Sequence, residues 1–264
     1  MSKKNHSKKR TTTYSDNNLK LSYKQDEQIE LTHKINSMKF KTPTQKDLYK
    51  AIKDNCITFC SGPAGTGKTF ISLWASLSLL FNNKEYKKIY ITKPYQTAGE
   101  SFGFLPGGIA EKFDPLLASY YWNLEKIMGL DPYQRMISHK VIEIIPLAYM
   151  RGLTFENCIV LVDEAQNTSV EQLKLLLTRL GENAKIIVMG DEKQSDIKIK
   201  SGLSDAVTRF EHIEDIGVIR FDQEDVVRHP LVKKIVKLYD EDVIYNKDRA
   251  KVEKIKNIAD SFYN

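Results

Sequence analysis

The sequence predicts a doubly wound α/β fold built on a mostly parallel sheet, and three observations carry that expectation. An apolar run, Cys56-Ile57-Thr58-Phe59-Cys60, leads into the glycine-rich segment Gly62-Pro63-Ala64-Gly65-Thr66-Gly67-Lys68-Thr69 and then into a helix-length apolar stretch (Phe70, Ile71, Leu73, Trp74, Leu77, Leu80). Further short apolar or β-branched runs alternate with helix-length segments along the chain. Most of these runs are apolar on both faces, as parallel strands covered by helices on both sides require.

Taken in order, Thr42-Pro43-Thr44-Gln45 opens a helix to about Lys53, after a polar lead-in over residues 31–41. Strands are expected over 57–60, 88–92, 141–145, 158–162, 185–189 and 215–220. Helices fill the gaps at 68–81, 109–128, 169–181 and 203–210, and a long terminal helix starts at Pro230. The expected organisation is a basic disordered arm (1–37), one α/β domain (38–245) and a charged C-terminal helix (246–264).

Charge is unevenly placed. Lys3, Lys4, Lys8, Lys9, Arg10, Lys20 and Lys24, opposed only by Asp16, account for the whole net charge of +6, and the rest of the chain balances to zero. Such a Ser/Thr/Asn-rich basic stretch buries too little apolar surface to fold and suits either solubility or the tracking of nucleic-acid phosphates. No segment reads as a secretory signal or a bilayer span, so a soluble cytoplasmic protein without membrane partners is expected, in a host cytoplasm if phage-encoded. Cys56, Cys60 and Cys158 lack the paired spacing of a zinc site and read as reduced core residues.

The glycine-rich segment carries the chemistry. Its glycines let successive backbone N–H groups point at phosphate oxygens, Lys68 adds a mobile charge for the β- and γ-phosphates, and the Thr69 hydroxyl is a Mg²⁺ ligand. About a hundred residues on, the apolar run Ile159-Val160-Leu161-Val162 ends in Asp163-Glu164, the acidic pair that a Mg²⁺-dependent hydrolase needs. Asp163 would hold the metal through water, and Glu164 would polarise the attacking water as general base. The run at 185–189 ends in Gly190-Asp191-Glu192-Lys193-Gln194, placing Gln194 where a primary amide can touch both γ-phosphate and lytic water.

These segments, with Asp163-Glu164-Ala165-Gln166-Asn167, Arg151-Gly152-Leu153-Thr154-Phe155, Ile91-Thr92-Lys93-Pro94, Gly103-Phe104-Leu105-Pro106-Gly107, Leu177-Thr178-Arg179 and Val226-Val227-Arg228-His229-Pro230, resemble the PhoH family of ATPases, relatives of superfamily 1 helicases, over roughly residues 40 to 240. The resemblance implies a single RecA-like P-loop domain, ATP with Mg²⁺, and action on single-stranded RNA or DNA, RNA being favoured. Where the family has Ile-Thr-Arg-Pro this chain has Lys93, which keeps the charge and loses a bidentate donor. No ribonuclease domain of the kind fused to some members is expected, and the small size with a basic arm suits a phage or bacterial source.

Gln45 resembles the glutamine that reads adenine in related helicases, with a solvated helix-start residue as the equal alternative. The Gly-rich loop 93–108 holds Tyr95, Phe102 and Phe104, which either stack bases or pack the loop. Arg179 and Arg228 are candidate arginine fingers. One RecA-like domain has no second domain to supply that charge, so a homo-oligomer is expected, a hexameric ring as in other ring ATPases of this kind. Arg228 is the stronger candidate for sensing nucleotide, and Arg179 has the alternative of capping a helix C-terminus.

Two other functions compete. A nucleotide-gated scaffold for an RNA-processing partner would use the same residues with slow turnover. A nucleoside kinase of the type II thymidine kinase kind also pairs a phosphate loop with Asp-Glu-Ala-Gln, but no cysteine follows Cys158 to build that class's zinc cluster.

Overall fold

The computed structural model describes residues 25–94, 109–194, 197, 199–232 and 234–235. In chain order the elements are α1 (Gln25–Asn36), α2 (Pro43–Asp54), β1 (Ile57–Ser61), α3 (Lys68–Asn82), β2 (Lys88–Thr92), α4 (Ile109–Met128), α5 (Leu130–Ser138), β3 (Ile142–Ile144), β4 (Cys158–Val162), α6 (Val170–Leu177), β5 (Lys185–Gly190), α7 (Gly202–Phe210) and β6 (Ile216–Arg220). The expected strands recur within about a residue at each end, because two-sided apolar runs of this length have few other ways to be buried.

All six strands run parallel in the order β3-β2-β4-β5-β1-β6. Alternation along each strand sends side chains to two cores. Ile159 and Leu161 of β4, with Ile187 and Met189 of β5, pack beneath α1 to α5. Val160, Val162, Ile186 and Val188 pack beneath α6 and α7 on the other face. Helices therefore cover both faces of one parallel sheet, and β5 separates the strand carrying the phosphate loop from the strand carrying the acidic pair.

Helix α1 corrects the expected arm, whose end at residue 37 and polar lead-in from 31 are replaced by a docked helix over 25–36. Leu31 and Ile35, one helical turn apart, are its buried anchors, and the Ile35 carbonyl accepts from Trp74 Nε1 at 2.9 Å. Each such anchor contributes about 1.5–3 kcal/mol of burial, enough to fix a helix whose other residues are polar. The arm proper (1–24), the loop aromatics and the C-terminal helix 246–264 lie outside the described residues.

Helix α2 starts where Thr42 Oγ1 accepts from the Gln45 N–H and Pro43 occupies the first turn. Its last carbonyls are met from below by the Lys185 ammonium, which donates to Lys53 O and Asn55 O. Helix α6 stops earlier than expected. Ser169 and Gln172 form a reciprocal capping box at its start, but after Leu177 the chain turns so that Leu180 bridges to Phe155.

Candidate nucleotide site

Three strand ends converge at the carboxyl edge of the sheet: Ser61 of β1 into the phosphate loop, Val162 of β4 into Asp163-Glu164, and Gly190 of β5 into Asp191. Between them lies a cleft of about 260 Å³ lined by Ala64, Gly65, Gly67, Lys68, Thr69, Phe70, Asn123, Asp163, Glu164, Gly190, Asp191 and Gln194. Five of the eight loop residues, both acids and Gln194 thus meet in one place, as the spacing of the motifs requires.

The loop is shaped by its glycines and held by neighbours. Gly65 sits at φ 87°, and a Cβ there would meet Arg228 Nε at 2.3 Å, so Arg228 lies against the loop of its own chain. Val227 N donates to Gly65 O at 3.0 Å and fixes that approach. Lys68 Nζ folds back to donate to Gly62 O (2.6 Å) and Pro63 O (2.9 Å). Thr66 Oγ1 donates to Pro63 O at 3.1 Å, tightening the turn.

Gln45 is buried, and its amide is used inside the chain. Nε2 donates to Thr66 O at 2.8 Å, and Oε1 accepts from Lys41 N at 2.8 Å. In this structure the residue braces the phosphate loop from behind, each end of its amide holding one backbone group of the chain.

Thr69 Oγ1 donates to Asp163 Oδ2 at 3.1 Å, joining the two proposed metal ligands across the cleft. A second donor to the same oxygen, Tyr120 OH at 2.8 Å, comes from α4, and Glu164 N donates to Asp163 Oδ1 at 2.9 Å. Burial, and next the adjacent Glu164 charge, push the Asp163 carboxyl above its ordinary value, against the three hydrogen bonds that favour its anion. Burial also holds the Tyr120 phenol well above its usual value, with Asp163 adding to the effect, so this tyrosine stays a donor. A hydroxyl and a carboxylate are hard oxygen donors and fit Mg²⁺.

Glu164 adopts a left-handed backbone (φ 53°, ψ 35°), uncommon for a residue with a Cβ and of the kind found at functional turns. Its Oε2 accepts from Gln166 Nε2 at 2.6 Å, and its Oε1 lies 3.9 Å from Lys93 Nζ at the end of β2. Gln194 is exposed on the rim, its N–H donating to Asp191 O at 3.0 Å.

Arg179 stands apart from all of these. Its backbone carbonyl accepts from Phe155 N, just before β4 begins, which places it at the amino edge of the sheet, opposite the cleft of its own chain. Cys60, beneath the loop, has its thiol pushed up to about 12 by burial and takes no part as a nucleophile. Tyr120 and the bridging role of Gln166 escaped the sequence reading. Only the position of Gln166 inside the acidic motif gave any signal.

A phosphate loop and an acidic strand end, separated by one strand of an all-parallel sheet, define a RecA-like P-loop protein that binds nucleotide, an enzyme of the nucleoside-triphosphatase type. The family is more particular. A family model described as PhoH-like protein matches residues 37–240, which contain every site residue named above, and the chain belongs to that family. It is 45% identical over 217 residues to a PhoH-like protein of Bacillus subtilis strain 168, covering 81% of this chain and 68% of that one. It is also 45% identical over 202 residues to one from Synechocystis (76% and 61%), and 44% identical over 194 residues to Protein PhoH of Escherichia coli K12 (72% and 54%). The chain therefore spans little more than half to two thirds of these relatives' lengths. Among solved structures it is similar to the large terminase of a thermophilic bacteriophage in complex with ADP (10% identity, TM-score 0.39, 80% of this chain and 48% of that one). A second is the Pif1 helicase of Candida albicans (15% identity, TM-score 0.34, 70% and 41%).

Proposed function

We propose that the chain is a Mg²⁺-dependent ATPase whose turnover remodels single-stranded nucleic acid, RNA in preference to DNA, in a helicase-like manner. The observation that carries the hydrolytic part is the Thr69–Asp163 hydrogen bond, which closes the phosphate loop onto the acidic strand end with Glu164 beside it in one cleft. Lys68 leaves the Gly62 and Pro63 carbonyls for the β- and γ-phosphate oxygens. Thr69 and Asp163 would hold Mg²⁺, which would supply positive charge against the phosphates. Glu164 takes a proton from water as that oxygen attacks the γ-phosphorus, and the bond to the β,γ-bridging oxygen breaks to release ADP. Gln194 orients the water, and Arg228, already against Gly65, contacts the nucleotide within the same chain.

Nucleic acid as the driven substrate rests on the family and on the basic residues between Lys3 and Lys24. The test is steady-state ATP hydrolysis by wild type and Lys68→Ala, with single-stranded RNA, single-stranded DNA or thymidine added. Turnover that RNA stimulates and Lys68→Ala abolishes is the expected result. Turnover indifferent to both strands gives the scaffold instead, and phosphorylated thymidine gives the kinase.

A further inference from the structure

One amide joins two of the strand ends that form the cleft. Gln166, buried in the short turn after Glu164, donates from Nε2 to Glu164 Oε2 at 2.6 Å and accepts at Oε1 from Asp191 N at 3.0 Å. The fit on the β5 side is close. A Cβ added to Gly190 would stand 2.2 Å from Gln166 Oε1 and 3.0 Å from Gln166 N, so the absence of a side chain at 190 is what admits the amide. Beyond Asp191 the same turn continues to Gln194, whose N–H bonds back to Asp191 O.

We infer that Gln166 is a positioning residue for the general base: it aims the Glu164 carboxylate and ties its orientation to the end of β5, and hence to the turn that carries Gln194. The inference rests on the hydrolytic reading of the site. Glu164 has a left-handed backbone and its side chain remains 41% exposed, so apart from the long 3.9 Å ion pair with Lys93 the Gln166 amide is the close contact that orients the carboxylate. A primary amide suits the task because it donates on one side and accepts on the other. It anchors Oε2, while Oε1, 3.9 Å from Lys93 Nζ, faces the cleft to accept the proton of water. A charged residue in its place would either repel Glu164 or neutralise it. Because the other end of the amide is bound to backbone at Asp191, a shift of the β5 turn on loss of γ-phosphate moves the base as well.

The test is a double-substitution cycle. Gln166→Met keeps the length of the side chain and removes the hydrogen bonds to Glu164 and Asp191. It should lower kcat for ATP about 10- to 100-fold, the scale set by misplacing a general base, while KM and the affinity for a non-hydrolysable ATP analogue stay within about twofold of wild type. In a Glu164→Gln background the same substitution should leave the residual single-turnover rate unchanged, since the group it aims is gone. An equal loss in both backgrounds, or a change in nucleotide affinity as large as the change in kcat, would assign Gln166 to holding the fold and overturn the inference. Gln166→Glu keeps the acceptor for Asp191 N, and thermal denaturation of both variants separates unfolding from a slow folded enzyme. Wild type without turnover would overturn the hydrolytic reading itself, an outcome distinct from a wild type that turns over and a Gln166→Met that matches it.

Discussion

Residues that act through their neighbours in sequence are the ones a linear reading recovers. Ala64, Gly65, Gly67, Lys68 and Thr69 of the phosphate loop, Asp163 with Glu164, and Gln194 each sit in a short segment whose composition has a chemical reason, and the fold brings them into one cleft. Gln45, Tyr120 and Gln166 act across 21, 43 and 25 residues of chain, onto Thr66, Asp163 and Asp191, and no local pattern fixes such pairings. Gln45 shows the consequence. As an adenine reader, its loss would change only base preference; as a brace, its loss strands the buried Thr66 carbonyl and the Lys41 N–H. Gln45→Ala should therefore cost about 1–3 kcal/mol of stability without nucleotide, read as a lower urea midpoint, and should leave the ratio of ATP to GTP affinity unchanged. A shifted ratio at an unchanged midpoint would return the residue to base recognition.

At the scale of elements, all six strands were legible because each is a short two-sided apolar run, whereas α1 and α5 were not. Helix α1 hides two anchors among polar residues, and α5 is nine residues with Met136 its only fully buried side chain, following α4 after Gly129. Helix α7 carries an electrostatic device of its own. Asp205 is buried within it, accepting from Lys200 Nζ at 2.6 Å and from Arg209 Nε and Nη2, each at 2.9 Å. Those hydrogen bonds from Arg209 and Lys200 hold the Asp205 carboxyl well below its usual range. A carboxyl whose folded value is depressed binds fewer protons in the native state than in the unfolded one, so it stabilises above the unfolded value of about 3.9 and loses that contribution as pH falls through the folded value. Asp205→Asn should lower the urea midpoint at neutral pH, and its deficit should shrink as the buffer is taken below about pH 4. A deficit constant across that range would mean that the residue acts by packing.

The whole molecule poses a question of numbers of copies. Among the described residues the sheet has one nucleotide cleft at its carboxyl edge, with Arg228 packed against the loop of the same chain and Arg179 at the amino edge, beyond its own nucleotide. Arg179 Nε is buried with no hydrogen-bond partner among those residues. Transition-state charge on a transferring phosphoryl group calls for such an arginine, and an element at the opposite edge reaches a cleft only if that cleft belongs to a neighbouring copy. Arg179→Ala alone and Lys68→Ala alone should each lose turnover, the first with ATP affinity retained. Mixed in equal amounts under assembling conditions, they should recover part of the wild-type rate, because an intact loop on one copy then meets an intact Arg179 from the next. Recovery would scale with protein concentration, as sedimentation of the ATP-bound chain should show an oligomer forming over the same range. A mixture no more active than the sum of its parts, or a fully active monomer, would leave Arg179 as a structural residue of the turn that follows α6.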